Sequence, residues 1–244
     1  MPSETIFVES CHDKTSIETR ITFNGNVNGA TATAPAVILA HPYGPLGGNM
    51  RNNVIIALHN YFASKGYVTV CINFRGCGHS KGRTSWTGMP ERGDYEAVIQ
   101  YLKTSSPCKL SHLIIGGYSF GSMIAASLRP SSEDFDIPYS YLLISYPVSV
   151  QWALTTVRNS FFTQQINGLL RPAATTTGFE GSNHKVLVLY GDHDQFTGVR
   201  SYQNWLKNAG QHVESVIIPE ADHFWFEHEN NLVRKVNDWI VRAF

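Results

Sequence analysis

The chain has 244 residues, of which 43% are hydrophobic and 16% charged, enough to bury a sizeable core and better suited to one α/β domain than to two. Its 19 basic and 19 acidic residues cancel, and no basic block is present to track phosphates, which argues against a nucleic-acid partner. No apolar run approaches the roughly 18 residues of a membrane span. The first residues, Met1 to Ile6, lack the positive region and apolar core of a secretory signal, and Arg242-Ala243-Phe244 is no peroxisomal address, so the expected location is the cytosol.

Residues 5–10 and 16–24 are β-branched segments parted by polar residues around Asp13, and they predict an antiparallel hairpin. Residues 24–34, rich in Asn, Gly, Thr and Ala, read as a surface loop. From Ala36 onward apolar runs alternate with helix-spaced segments, the pattern of a mainly parallel sheet covered on both faces. Strands are expected at 36–40, 67–74, 112–117, 141–146, 185–190 and 213–218. Val54, Leu58, Tyr61 and Phe62 share one face of a helix that Gly66 stops, and Leu232, Val236, Trp239 and Ile240 repeat that spacing in the last helix. Helices near 91–104 and 197–209 are less regular, with Gly93 expected to break the first turn of the former. Residues 148–183 leave the alternation, carry Trp152, Phe161 and Phe162 between polar stretches, and read as a cap inserted after the sixth strand of a single domain, 1–244. The four cysteines, Cys11, Cys71, Cys77 and Cys108, have no C-x-x-C spacing and read as reduced, structural thiols.

Chemistry concentrates at Gly117-Tyr118-Ser119-Phe120-Gly121. A short apolar run precedes the serine and an Ala/Met/Leu-rich run follows it, which places Ser119 on a strand-to-helix turn too sharp to admit a Cβ two residues either side. A serine hydroxyl is a weak nucleophile at neutral pH, so it needs an imidazole as base and a carboxylate to orient that imidazole. On a sheet of this kind the acid follows a late strand and the histidine follows the last one. The strand at 185–190 runs into Gly191-Asp192-His193-Asp194, and the strand at 213–218 into Glu220-Ala221-Asp222-His223. His223 is the preferred base over His193 and His228. Asp192 and Asp194 compete as the acid, and Asp194 is preferred because it stands further along the loop. An oxyanion hole is expected from the backbone N–H of Phe120 and from that of Tyr43, in a loop where Pro42 and Pro45 have no N–H to give.

Several segments in order resemble one known family. His41-Pro42-Tyr43-Gly44-Pro45-Leu46-Gly47-Gly48-Asn49-Met50-Arg51-Asn52 is similar to the His-Pro-His-Pro-x-x-Gly-Gly-x-Met-x-Asn opening of compact single-domain serine hydrolases of the α/β-hydrolase superfamily. Asn73-Phe74-Arg75-Gly76-Cys77-Gly78-His79-Ser80 is similar to that family's Asn-Phe-Arg-Gly-x-Gly-x-Ser, and the serine, aspartate and histidine segments then match in order. The resemblance covers the chain from Ala36 onward and implies an α/β-hydrolase fold with Ser119, Asp194 and His223 as a catalytic triad. Tyr43 and Gly44 stand where the family has its second His-Pro.

Two functional classes follow. The leading one is a serine hydrolase that cleaves an ester, thioester or amide of a small, apolar or aromatic substrate through an acyl-enzyme, carboxylesterase-like, with no metal or organic cofactor. Trp86, Trp152, Phe161 and Phe162 are its expected pocket aromatics. The other is a non-hydrolytic protein of the same fold, an isomerase, a cyclase or a ligand-binding module. The expected partner is a small-molecule substrate, with neither a nucleic acid nor a membrane; a homo-oligomer is compatible with the sequence but not indicated by it.

Overall fold

The computed structural model describes residues 2–23, 33–106, 108–129, 137–172 and 184–244. The expected loop at 24–34 and the expected cap at 148–183 therefore lie partly outside the described residues. Eight strands form one sheet: β1 (Ser3–Glu9), β2 (Ser16–Thr22), β3 (Thr33–Ala40), β4 (Val68–Ile72), β5 (Lys109–Tyr118), β6 (Tyr139–Ile144), β7 (Val186–His193) and β8 (Val213–Asp222). Their order is β1-β2-β4-β3-β5-β6-β7-β8. β1 and β2 form the expected hairpin, β2 is antiparallel to β4, and every later neighbour is parallel.

Among the described residues seven α-helices accompany the sheet: α1 (Asn53–Ser64), α2 (Met89–Ser105), α3 (Phe120–Ala126), α4 (Gln151–Thr155), α5 (Asn159–Leu170), α6 (Val199–Leu206) and α7 (Glu229–Ala243). Strand side chains alternate between two cores. Ala36, Ile38 and Ala40 of β3 join the core under α2, α3, α5 and α6, while Val37 and Leu39 join the core under α1 and α7. β7 divides the same way, with Val186, Val188 and Tyr190 on the first face and Leu187 and Leu189 on the second. Burial on both faces explains why these strands read as continuous apolar runs. Among the described residues no helix is long and apolar enough to cross a membrane.

This winding creates a crevice. β3 and β5 are neighbours, yet β3 feeds α1 on one face and β5 feeds α3 on the other, so the loops leaving their carboxyl ends diverge. Such a switch point is where open α/β sheets accept ligands.

Two expectations are corrected. Gly93 lies inside α2 and does not break it; its carbonyl accepts the Cys11 N–H at 3.2 Å, and a Cβ there would stand 2.7 Å from His12 Cβ. The glycine admits the tip of the β1–β2 hairpin. Residues 159–170, expected in a cap, form α5, whose Phe162, Ile166, Leu169 and Leu170 are buried in the core shared with α2 and α3. This is a crossover helix between β6 and β7. Among the described residues of this stretch, Val150 and Leu154, just before and in α4, reach the crevice.

Candidate active site

Ser119, Asp194 and His223 each stand one residue beyond the end of a strand, β5, β7 and β8 respectively. Ser119 has φ 53° and ψ −119°, a conformation that costs a side-chain-bearing residue about 1–2 kcal/mol or more. The turn is imposed by its surroundings. A Cβ on Gly117 would lie 2.3 Å from the backbone of Gly121, and one on Gly121 would lie 2.3 Å from the carbonyl oxygen of Ala40, so glycine is required at both positions. The Ser119 N–H donates to the Ile144 carbonyl at 2.8 Å, which pins the elbow to β6.

The β7 and β8 ends converge through a break in register, with Gly191 opposite Ile218 but His193 opposite Asp222. His223 Nε2 is 3.0 Å from Ser119 Oγ, and His223 Nδ1 is 2.9 Å from Asp194 Oδ2. A carboxylate can only accept, so Nδ1 carries the proton and Nε2 presents its lone pair to the serine hydroxyl. The Asp194 side chain is fully buried, and its Oδ1 accepts the N–H groups of Phe196 and Thr197 at 2.9 Å each. This arrangement can take a proton from Ser119 Oγ and return it, with Asp194 holding the ring in one orientation.

The competing acid does something else. Asp192 Oδ1 accepts the Glu220 N–H at 2.6 Å across the β7–β8 register break, far in sequence from the local turn. His193 is largely exposed, and His228 precedes α7; neither reaches the serine.

Residues that sequence reasoning missed hold His223 in place. Its N–H donates to Gln195 Oε1 at 3.0 Å, and its carbonyl accepts the Tyr118 hydroxyl at 2.5 Å. Asp222 Oδ1 accepts the N–H groups of Phe224 and Trp225 at 2.9 Å, and the buried indole of Trp225 donates to Ser145 Oγ at 3.0 Å. Tyr118 carried a usable signal: a tyrosine at the end of a buried strand needs a partner for its hydroxyl.

Opposite them runs the loop after β3. His41 is buried, and its Nε2 accepts the Phe74 N–H at 3.0 Å, so its Nδ1 proton goes to the Pro42 carbonyl at 2.6 Å. Burial pushes the His41 pKa down to about 4. Asn73 Oδ1 accepts the Met50 N–H at 2.7 Å, and Arg75 reaches Asp94, Asp13 and Ser10. The N–H groups of Tyr43 and of Phe120, the first residue of α3, have no acceptor among the described residues, and the two rings pack 5.3 Å apart. Cys77 lies under this loop, and burial raises its thiol pKa to about 11, which keeps it an unreactive thiol at neutral pH.

Between the two walls lies a cavity of about 130 Å³. It is lined by Pro42, Tyr43, Leu46, Gly47, Gly48 and Asn52, by Tyr118 and Ser119, by Val150 and Leu154, and by Phe196, His223 and Phe224. None of the four expected pocket aromatics is among them. Trp86 and Trp152 are 72% and 67% exposed, Phe162 is buried in the core beside Gly88, and Phe161 stands edge-on to Phe162. Val150 and Leu154 turn inward at helical spacing, which sends Trp152, two residues from each, to the opposite side. Among the described residues no group of three or more His, Cys, Asp or Glu could hold a metal ion.

Strand order and elbow define an α/β-hydrolase fold. The sequence model of the X-Pro dipeptidyl-peptidase (S15) family matches residues 13–133, a span that includes Ser119 and stops before Asp194 and His223. Over 216 residues the chain is 31% identical to uncharacterized protein RP471 of Rickettsia prowazekii, covering 85% of this chain and 79% of that one, so the two share a family. Its backbone is similar to an α/β serine hydrolase homologue from Coxiella burnetii (TM-score 0.69, 23% identity, 96% and 95% of the two chains). It is likewise similar to an α/β serine hydrolase without lid from Xanthomonas campestris (TM-score 0.71, 18% identity, 99% and 96%).

Proposed function

We propose that this protein hydrolyses an uncharged carboxylic ester, or a related thioester or amide, through an acyl-enzyme. Ser119 Oγ attacks the carbonyl carbon while His223 Nε2 takes its proton, Asp194 holds the imidazolium, and the N–H groups of Phe120 and Tyr43 receive the oxyanion. Collapse of the tetrahedral intermediate expels the alcohol, which takes the proton from His223. Water, activated by the same imidazole, then releases the acid and regenerates Ser119. The observation that carries this is the unbroken chain Ser119 Oγ, His223 Nε2, His223 Nδ1, Asp194 Oδ2 at 3.0 and 2.9 Å on a strained elbow.

The lining of the cavity supports one substrate class over another. A dipeptidyl-peptidase, the activity in the matching family's description, must hold its substrate's N-terminal ammonium, and an ammonium taken out of water needs a carboxylate or several acceptors. No Asp or Glu is among the residues lining this cavity. That favours an apolar acyl group over a peptide amino terminus.

A fluorophosphonate probe should label the wild type at Ser119 and leave Ser119→Ala unlabelled, and p-nitrophenyl butyrate should be cleaved far faster than Ala-Pro-p-nitroanilide. Absence of labelling on folded protein would favour a non-hydrolytic role for the pocket. Faster cleavage of the dipeptide would overturn the ester assignment alone.

A further inference from the structure

The segment after His223 is built to show apolar surface. Trp225 adopts φ 64°, a left-handed conformation disfavoured for any residue with a Cβ, while its side chain is fully buried and hydrogen-bonded to Ser145. Its neighbours point the other way: Phe224 and Phe226 are 45% and 64% exposed, with rings stacked 6.3 Å apart at 20°. The segment is not loose. The Phe224 N–H is held by Asp222 and its carbonyl by Asn53 Nδ2 at 3.0 Å.

These rings continue the cavity. Phe196 packs on His223 at 4.6 Å, Phe224 on Phe196 at 6.1 Å, and Phe226 on Phe224, a series that runs from the imidazole outward. Across the mouth, Leu46 lines the cavity and is nonetheless 76% exposed. At about 130 Å³ this partly open cavity is close to the roughly 150 Å³ that takes one benzene. A substrate with more than about six carbons on one side of its carbonyl overfills it and must leave across these exposed side chains.

We infer that Phe224, Phe226 and Leu46 form an outer apolar subsite that binds the distal half of an alkyl chain longer than the cavity, so that the preferred substrate is a medium-chain, uncharged ester. This rests on the hydrolase assignment above for its chemistry, but the subsite itself can be tested without turnover. The chain has the same chemistry whether it belongs to the acid or to the alcohol, and two arms separate these. One compares p-nitrophenyl octanoate with p-nitrophenyl acetate, the other octyl acetate with ethyl acetate, each in wild type, Phe226→Ala and Phe226→Leu.

In one arm, Phe226→Ala should lower kcat/KM for the long ester about tenfold more than for the short one, the worth of roughly two methylenes withdrawn from contact, and Phe226→Leu should recover most of the loss. Equal effects on long and short esters in both arms would overturn the inference. A third measurement titrates octyl acetate into Ser119→Ala and follows tryptophan fluorescence. Binding that Phe226→Ala weakens supports the subsite even if the wild type neither turns over nor takes a fluorophosphonate, in which case the hydrolase assignment alone falls. Absence of Phe226-dependent binding refutes the subsite. Phe226-dependent association with phosphatidylcholine vesicles, without discrimination between long and short esters, would assign the patch to a lipid surface instead.

Discussion

The two walls of the cavity are both fixed by hydrogen bonds but present different outer surfaces. The wall after β3 rests on buried polar contacts: His41 between Phe74 and Pro42, Asn73 under Met50, and Arg75 clasped by Asp94 and Asp13. The wall after β8 is gripped along its backbone by side chains, Tyr118 and Gln195 at His223, Asp222 at Phe224 and Trp225, and Asn53 at Phe224, with the Trp225 indole buried beneath, and it turns Phe224 and Phe226 to solvent. The difference fits the roles proposed above for each wall. Backbone donors that must meet a developing charge gain from being immobile, and directional hydrogen bonds fix them from beneath. Under the proposed mechanism, the wall that carries His223 needs its ring positioned, and the proposed outer subsite needs its surface apolar.

If that division is right, the largest functional loss should come from the His223 wall. Asp194→Asn favours the wrong imidazole tautomer, and kcat should drop by about 10⁴ with the unfolding midpoint little changed. Asp192→Asn, which only releases the Glu220 N–H, should cost about 1 kcal/mol of stability and little activity, as paired kinetics and denaturation would read.

The largest structural loss should come from the other wall. Asp94→Asn leaves the Arg75 guanidinium, 6% exposed, with Asp13 as its one remaining carboxylate, and breaking such a buried pair costs about 3–5 kcal/mol. Urea unfolding should report that loss, while kcat per folded molecule survives.

The same wall should give the protein an acid limit. His41 is held near 4 in the fold against about 6.5 in an unfolded chain, so between those values the unfolded state binds the proton first. Stability from this residue is complete above about pH 6.5 and is lost as pH falls toward 4, by about 3 kcal/mol in all. Burial lowers His59, His112 and His184 as well, so wild type should fall with a slope shared by four histidines and His41→Asn with a shallower one. Unfolding midpoints at pH 7 and 4.5 for both proteins decide it.

A roughly tenfold effect sharpens the boundary between the walls. Tyr118 belongs to the elbow but braces the His223 carbonyl, so Tyr118→Phe should reduce kcat/KM about tenfold, chiefly in kcat, and shift the acidic limb of the pH–rate profile. A change in stability with an unmoved profile would make Tyr118 a packing residue only.

Ser119, Asp194 and His223 were legible because each lies just past an apolar run whose end can be read from residue types alone. The strands extend further than those runs, to His193 and Asp222, because the ladder tolerates polar residues where it emerges from the core. The pocket aromatics were not legible, since an aromatic residue in an amphipathic stretch declares burial but not which side it faces. Phe162, Ile166, Leu169 and Leu170 did carry a helical period, and weighing it would have placed α5 in the core. Gly93 misled for a tertiary reason: the hairpin tip that needs its bare Cα lies some eighty residues earlier in the chain. Tyr118 and Gln195 meet His223 across 105 and 28 positions, distances over which local pattern says nothing.

β8 is the last strand of the sheet and has β7 as its neighbour on one side only. His223 hangs from its end, while Ser119 sits over the sheet's interior, 104 positions away in sequence. Edge elements open at lower free energy than central ones. On heating, β8 and its histidine should peel from β7 while β3, β4 and β5 still hold their ladder, so the imidazole departs from an otherwise intact molecule. The thermal ceiling of catalysis then lies below that of the fold, and activity lost in that interval returns on cooling.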